Sequence, residues 1–447
     1  MNSNSDFLGT KNVHKLLFNL AMPAVIAMMA SGIYSILSTL MIAKGINVMA
    51  VGAVGIVFPI QILYHGFAQM ISIGAASDIS RNLGKQNQEQ ANETTTNAFI
   101  LTTIISIGLT IISYFSVKPI LLIFGANDEL FILAEDYLKV FIWSIPFNAI
   151  VLLSSAIFRA EGNLKLSMFV VLVDAIINVL LEFILIYFFK LGVKGVALAT
   201  IISQVITAIF ALTYILRQKS NVKIKRDYLK LNLRNTKSII TVGFSAFARN
   251  ATTAGLSLTV NTTLRSLGGT QSLTAFGTVN RIVSFFFLPI MGVNQGMQPI
   301  ASYNYGAQKN QRIKEVVKLA LIYTTIIGTI ATIVGLFFPK ATLQLFTNKS
   351  DILSEATLIF QLQLIFFWTM GFQTVTATLY QALGQAIPAL IISTFKQLFI
   401  LIPLVYFLSN FTNLGLNGVW FSFPVAELLA FIIVLTILKR QWRYLKT

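Results

Sequence analysis

The chain is 447 residues long, 55% hydrophobic and only 11% charged, with no cysteine and a formal net charge of +17. A soluble chain of this length carries about a quarter charged residues, so a water-soluble globular domain is excluded. The missing cysteines exclude disulfides, thiolate metal sites and thiol nucleophiles.

The polar, basic opening MNSNSDFLGTKNVHKLL leads into a first apolar span, Leu20–Ala43, with no small-residue cleavage site. It reads as a retained helix rather than a signal peptide. Runs of about 20 apolar residues, the length that crosses hydrocarbon as a helix, then recur at Val51–Ser77 and Ala98–Val117. A fifth span, Leu166–Phe189, lies between Lys165 and Lys190. The basic segment RQKSNVKIKRDYLKLNLRNTK, 217–237, divides the chain nearly in half. Beyond it come Ile239–Thr263, Leu319–Phe338, Leu358–Leu379 and Ile387–Leu408. Twelve spans are expected, giving an N-terminal lobe 1–216, a linking loop 217–237, a C-terminal lobe 238–438 and a tail 439–447.

An even number of spans puts both termini on one face. The tails and loops of that face hold 22 of the 33 Lys and Arg residues, against seven on the opposite face and four inside spans. By the positive-inside rule the termini are cytoplasmic. The basic excess is therefore a topology signal rather than a nucleic-acid footprint, with attraction to anionic lipid as a secondary effect.

The halves match at a nearly constant offset of 222. Ala53-Val-Gly55 corresponds to Ala275-Phe-Gly277, Asn82-Leu-Gly84-Lys-Gln86 to Asn304-Tyr-Gly306-Ala-Gln308, and Ala160-Glu-Gly162 to Ala382-Leu-Gly384. Phe124 falls opposite Phe346, and Leu191-Gly-Val matches Leu414-Gly-Leu at 223. Six spans per repeat make the halves parallel repeats about an axis along the membrane normal. The expected fold is an all-α integral membrane protein with two six-helix lobes around a central cleft, and rocking of such lobes can alternate access.

In the fifth span Asp174, Asn178 and Glu182 recur at i, i+4 and i+8, one helix face. A membrane carboxylate costs about 2.5–3.5 kcal/mol on insertion scales, so this stripe should face protein or a water-filled cavity. Tyr34 and Ser38 form a smaller pair on the first span, and Thr200 lies at similar depth in the sixth. A carboxylate withdrawn from water can trade its charge for a proton. With Asn178 and hydroxyl oxygens it could equally hold sodium or meet an organic cation. The competing reading is that Glu182 fixes packing, and Asp174 is open between packing and access. Glu427 has no polar stripe and reads as structural.

Gly296–Glu315, GMQPIASYNYGAQKNQRIKE, resembles a signature of the MATE (multidrug and toxic compound extrusion) family, especially its MepA-like branch. Phe158-Arg-Ala-Glu-Gly-Asn163 and Asn178-Val-Leu-Leu-Glu182 do so too, and repeat period and helix count agree over essentially the whole chain. The resemblance implies twelve helices in two lobes and outward export driven by a proton or sodium gradient. It implies coupling and substrate-binding roles for Glu182 and Asn178, for Tyr34, and for Thr200 eighteen residues beyond the acid. Some relatives place an aspartate where this chain has Ser38, which weakens sodium coordination of that kind. Another branch uses acids in helices seven and ten, absent here. Pro23 matches a proline at a bend and is either a moving hinge or a static kink. The major facilitator superfamily is a remote alternative, since Gly74-Ala-Ala-Ser-Asp78-Ile-Ser-Arg81 holds its loop ingredients at the wrong spacing.

Arg249, Arg281 and Lys396 all fall within second-half spans. Cavity charges for an anionic lipid-linked substrate are one reading, and pairing with Glu427 or snorkelling is the other. Gly84, Gly162, Gly306 and Gly384 read as turn-shaping. Phe285-Phe-Phe287, Phe366-Phe-Trp368 and Trp143 read as packing or lipid-facing before cavity-lining. His14 and His65 form no metal or triad pattern, and no catalytic constellation is present. The expected function is therefore efflux of amphipathic or cationic organic compounds by antiport with H+ or Na+, carried out in the plasma membrane by a monomer without cofactor or structural metal. A flippase for anionic lipid-linked substrates is the alternative, and a membrane-embedded enzyme the third reading.

Overall fold

The computed structural model describes residues 5–126, 128–217, 220–345 and 350–444. Among them are no strands and twelve long helices: α1 Val13–Gly45, α2 Met49–Gly84, α3 Gln88–Phe115, α4 Leu130–Ala160, α5 Leu164–Phe188, α6 Gly192–Leu216, α7 Leu233–Leu267, α8 Gln271–Gly306, α9 Asn310–Phe337, α10 Ile352–Ala382, α11 Ala386–Asn410 and α12 Leu416–Arg443. All but α7 are long and apolar enough to cross a membrane. At 1.5 Å per residue α7 spans roughly 50 Å, but it is rich in Ser, Thr and Asn. Its hydroxyls bond backward to carbonyls of the same helix, as Thr253 does to Arg249, Ser257 to Thr253 and Thr259 to Gly255. That satisfies polar groups internally, as a segment inside a bilayer requires. The helix starts within the stretch expected as loop, and the last helix continues to Tyr444 through most of the expected tail.

The repeat is written into the backbone. Left-handed residues occur at Gln86 and Gln308, at Gly162 and Gly384, and at Gly192 and Gly415, pairs separated by 222, 222 and 223. The matched Phe346 lies outside the described residues. Helices α4 and α10 are each interrupted by a 3-10 turn, Ile142–Ser144 and Phe367–Thr369. Helices α5 and α11 each contain a π-helical turn, Ile184–Phe188 and Lys396–Leu401.

The two lobes meet through α7 packed along α2, α8 along α1, and α2 crossing α8. Small residues bring the backbones together. A methyl group on Gly74 would strike the carbonyl of Ile239, and one on Gly243 the carbonyl of Met70. At the end bearing the termini the crossing is reciprocal: Gly84 lies against the carbonyl of Tyr303, and Gly306 against that of Arg81. These contacts are related by the 222-residue repeat. Gly84 and Gly306 thus serve close helix approach rather than turns, whereas Gly162 and Gly384, at φ +85° and +74°, do make turns. Farther from the termini, Gly55, Gly255 and Gly277 have no neighbouring atom within 4 Å of an added methyl group. The lobes are joined at one end and more open towards the other.

Asp78 and Arg81 sit at the joined end. Arg81 donates to Asp78 at 2.8 Å and, across the lobe boundary, to the carbonyls of Gln381 (3.4 Å) and Ala382 (3.3 Å). Asp78 accepts from Ser238 of α7 at 3.3 Å, and Ser77 donates to the carbonyl of Gln381. The segment that raised the major facilitator alternative is therefore a latch between lobes. A short N-terminal helix, Phe7–Thr10, adds to it. Leu8 accepts from Asn304 (2.9 Å) and Gly9 from Lys309 (2.9 Å) in the second lobe, while Ser5 donates to the carbonyl of Glu161 (3.3 Å) in the first.

Candidate functional site

Helices α1, α5 and α6 bring the polar residues of the first lobe together. Glu182 is fully buried, and its Oε1 accepts from Ser38 Oγ at 3.0 Å and Tyr34 OH at 3.4 Å. One turn along α5, Asn178 Nδ2 donates to Thr200 Oγ1 (3.3 Å) and Ser203 Oγ (3.2 Å) on α6. These hydroxyls pass their own hydrogens back to the carbonyls of Val196 and Thr200. Ser203 also stands beside Asp174. The six residues expected from the sequence thus form one continuous stripe.

The stripe is short of donors. Asp174 Oδ1, Asn178 Oδ1, Glu182 Oε2 and Gln204 Oε1 are all buried and have no hydrogen-bond partner among the described residues. Leaving a buried acceptor unmet costs about 1–3 kcal/mol each, and these four, set along one polar stripe, are placed to meet something that supplies positive charge or hydrogens. Carboxylate, amide and hydroxyl oxygens suit a hard cation or a proton. No group of three or more His, Cys, Asp or Glu residues of metal-binding type occurs among the described residues.

Sequence reasoning missed Ser203 and Gln204, although both follow Thr200 at i+3 and i+4 and so share its face. It also missed Tyr137 of α4, which stands near Glu182 and accepts from Gln61 Nε2 at 2.8 Å. Nothing in the spacing of Tyr137 pointed to it, because its partners come from other helices. A π-helical turn begins at Ile184, two residues after Glu182, and such turns are frequent at functional positions.

The second lobe does not copy this site. At the repeat offset Asn178 and Glu182 become Ile400 and Leu404, and Tyr34 and Ser38 become Leu256 and Val260. Instead Lys396 Nζ donates to Glu427 Oε2 at 2.8 Å and Thr369 to Glu427 Oε1 at 3.2 Å. Lys396 is therefore not a free cavity charge, since a carboxylate on the neighbouring helix neutralises it. Glu427 is thus held between Lys396 and Thr369. Arg281 is exposed and Arg249 half-buried. Pro23 lies within the continuous helix α1, between Ala21, which packs on Gly296, and Val25, which packs on Gly292.

The signature segments have physical tasks. Glu161 accepts from Ser220 and from the backbone N–H groups of Asn221 (3.2 Å) and Val222 (3.0 Å), tying the inter-lobe linker to the end of α4. Burial pushes its carboxyl up and these three hydrogen bonds oppose that shift. Asn163 caps α5 by accepting from Leu166 N at 3.2 Å.

Comparison with known proteins agrees with this architecture. The chain is 29% identical to the multidrug export protein MepA of Staphylococcus aureus (strain MSSA476) over 93% of this chain and 91% of that one. It is 26% identical to MepA of Staphylococcus saprophyticus over the same shares. A crystal structure of a MATE in complex with MaD3S superposes with a TM-score of 0.93 at 22% identity, covering 100% of this chain and 99% of that chain. A MOP superfamily transporter from Pyrococcus furiosus matches with the same TM-score, identity and coverage. The MatE family model matches twice, over residues 23–184 and 246–407, once in each lobe and at the spacing of the internal repeat. With both lobes accounted for, the chain belongs to the MatE family of membrane transporters.

Proposed function

We propose that this chain is a secondary active exporter of amphipathic organic compounds, cationic ones among them, driven by inward flow of H+ or Na+. The observation that carries the reading is the set of four donorless oxygens on Asp174, Asn178, Glu182 and Gln204. A cation or proton bound there satisfies oxygens that no protein group reaches, and its release to the cytoplasm frees the site for an organic cation. Lobes 1–216 and 238–438 are the moving bodies, with the termini in the cytoplasm of a plasma membrane and one chain as the working unit. Closure at the termini end, built around Asp78 and Arg81, then exposes the first-lobe site outward. The multidrug export named for the staphylococcal relatives supports the substrate class, and family membership supports transport.

The test is export of a fluorescent lipophilic cation from proteoliposomes under an imposed proton or sodium gradient, for wild type and Glu182→Gln. Gradient-driven export by wild type that the variant loses assigns coupling to Glu182 and names the ion. Full export by Glu182→Gln would make the residue a packing element. Transport untouched when both gradients are collapsed would remove coupling altogether.

A further inference from the structure

Among the described residues Arg249, half-buried within α7, has no hydrogen-bond or ion-pair partner for its guanidinium. Arg81 pairs with Asp78, and Arg159 donates to Ser155 (2.8 Å) and Ser167 (3.2 Å). Arg249 takes part only through its carbonyl, which accepts from Thr252 and Thr253. It lies sixteen residues beyond Leu233, the first residue of α7, roughly 24 Å along the helix axis and so deep within the span. A guanidinium stays charged throughout the biological pH range. It cannot shed its charge as a buried lysine or carboxylate can, and an uncompensated charge at this depth is costly.

Its neighbours along α7 are polar residues that bond across to other helices. On one side Asn250 Nδ2 donates to Gln69 Oε1 (3.1 Å) across the lobe boundary, and Gln69 Nε2 meets His65 Nε2 (3.0 Å). On the other, Thr252 and Thr253 reach Gln397 Oε1 at 2.8 and 3.3 Å. No carboxylate forms an ion pair with any of them. Two residues back, and so on the opposite side of α7, Phe247 packs against Phe67 of the other lobe with ring centroids 4.4 Å apart. At the repeat offset Arg249 becomes Ala27, which is 3% exposed, so the charge is peculiar to the second lobe.

We propose that Arg249 binds the anionic head of an amphipathic organic substrate at the boundary between the lobes. The head is a carboxylate, sulfonate or phosphate held by the guanidinium fork. This deepens the export reading by giving the lobe boundary a position that holds an anionic group. Only its transport consequence rests on that reading, since binding can be measured without a gradient.

The experiment measures binding of radiolabelled 1-naphthoate and of its uncharged analogue 1-naphthamide to the full chain in phosphatidylcholine nanodiscs. Wild type should prefer the anion by about tenfold, the scale of one charge-assisted hydrogen bond. Arg249→Gln should abolish the preference while 1-naphthamide still binds, which reports a folded protein. Arg249→Lys should retain part of it. Equal binding of both probes by wild type, or a preference that survives in Arg249→Gln, overturns the proposal. Adding phosphatidylglycerol distinguishes the sources: competition with naphthoate assigns the site to a lipid headgroup, and unchanged affinity assigns it to a soluble organic anion. Lipophilic-cation export is scored separately, so failed export with an intact naphthoate preference refutes the exporter and leaves the anion site standing.

Discussion

Replacing Arg81 with methionine should weaken the closed end of the molecule without disturbing either lobe. Methionine keeps the apolar stem and removes the guanidinium, whose side chain is only 10% exposed. Lost across the boundary are hydrogen bonds to the carbonyls of Gln381 at 3.4 Å and Ala382 at 3.3 Å. Bonds to charged groups contribute about 1.5–3 kcal/mol, and these lengths place each near or below the lower end. Together they amount to about 2 kcal/mol. Asp78 keeps Asn82 (3.2 Å), Thr94 (2.8 Å) and Ser238 (3.3 Å) as donors, so it adds no large penalty. A change of 2 kcal/mol moves a two-state ratio about 30-fold. Because the chain has no cysteine, Lys85→Cys and Lys318→Cys, exposed positions on opposite lobes, can carry spin labels without background. Arg81→Met should enlarge the long-distance population by that factor. A distance distribution identical to that of the parent, in a variant of unchanged helicity, would refute the latch.

Three further outcomes follow from the packing. Lys396→Leu strands a carboxylate only 13% exposed and should lower stability by about 3–5 kcal/mol, whereas Lys396→Met with Glu427→Leu should be nearly neutral; thermal unfolding in detergent separates the two. Gly243→Val drives a side chain into the backbone of Met70 and should cost about 1–3 kcal/mol by overpacking. Gly55→Ala, with nothing within 4 Å, should be tolerated or slightly stabilising, and the same melt compares them. Ser203→Ala removes one of the two side-chain acceptors of the Asn178 amide and should weaken apparent affinity for the coupling ion about tenfold. Half-saturation of export against ion concentration measures this, and an unchanged value would detach Ser203 from the site.

Much of the molecule was legible because a bilayer forces simple rules on a sequence. Apolar run length marked eleven of the twelve long helices, all but the Ser- and Thr-rich α7, since hydrocarbon thickness admits little variation, and the offset of 222 announced two like lobes. The stripe Asp174, Asn178, Glu182 was readable because helical periodicity puts i, i+4 and i+8 on one face, and an acid in a span is rarely idle. Those signals are local or periodic, and a single chain displays them without folding.

Tertiary structure decided whatever depended on which helices touch. For Lys396 the sequence left two readings open, a cavity charge beside Arg249 or pairing with Glu427, and only the packing of α12 against α11 chose the pair, since side chains 31 residues apart leave no local trace of contact. Gly84 and Gly306 looked like turn glycines, and only the crossing of α2 over α8 shows that they admit a carbonyl of the opposite lobe. Tyr137 joined Glu182 from another helix with no pattern to advertise it. The sequence alone determined the helices, their repeat and the polar face of α5. Which charges are neutralised, which glycines are crowded and where the lobes lock were settled by side chains brought together from distant positions, because pairing energy depends on distance in space and not along the chain.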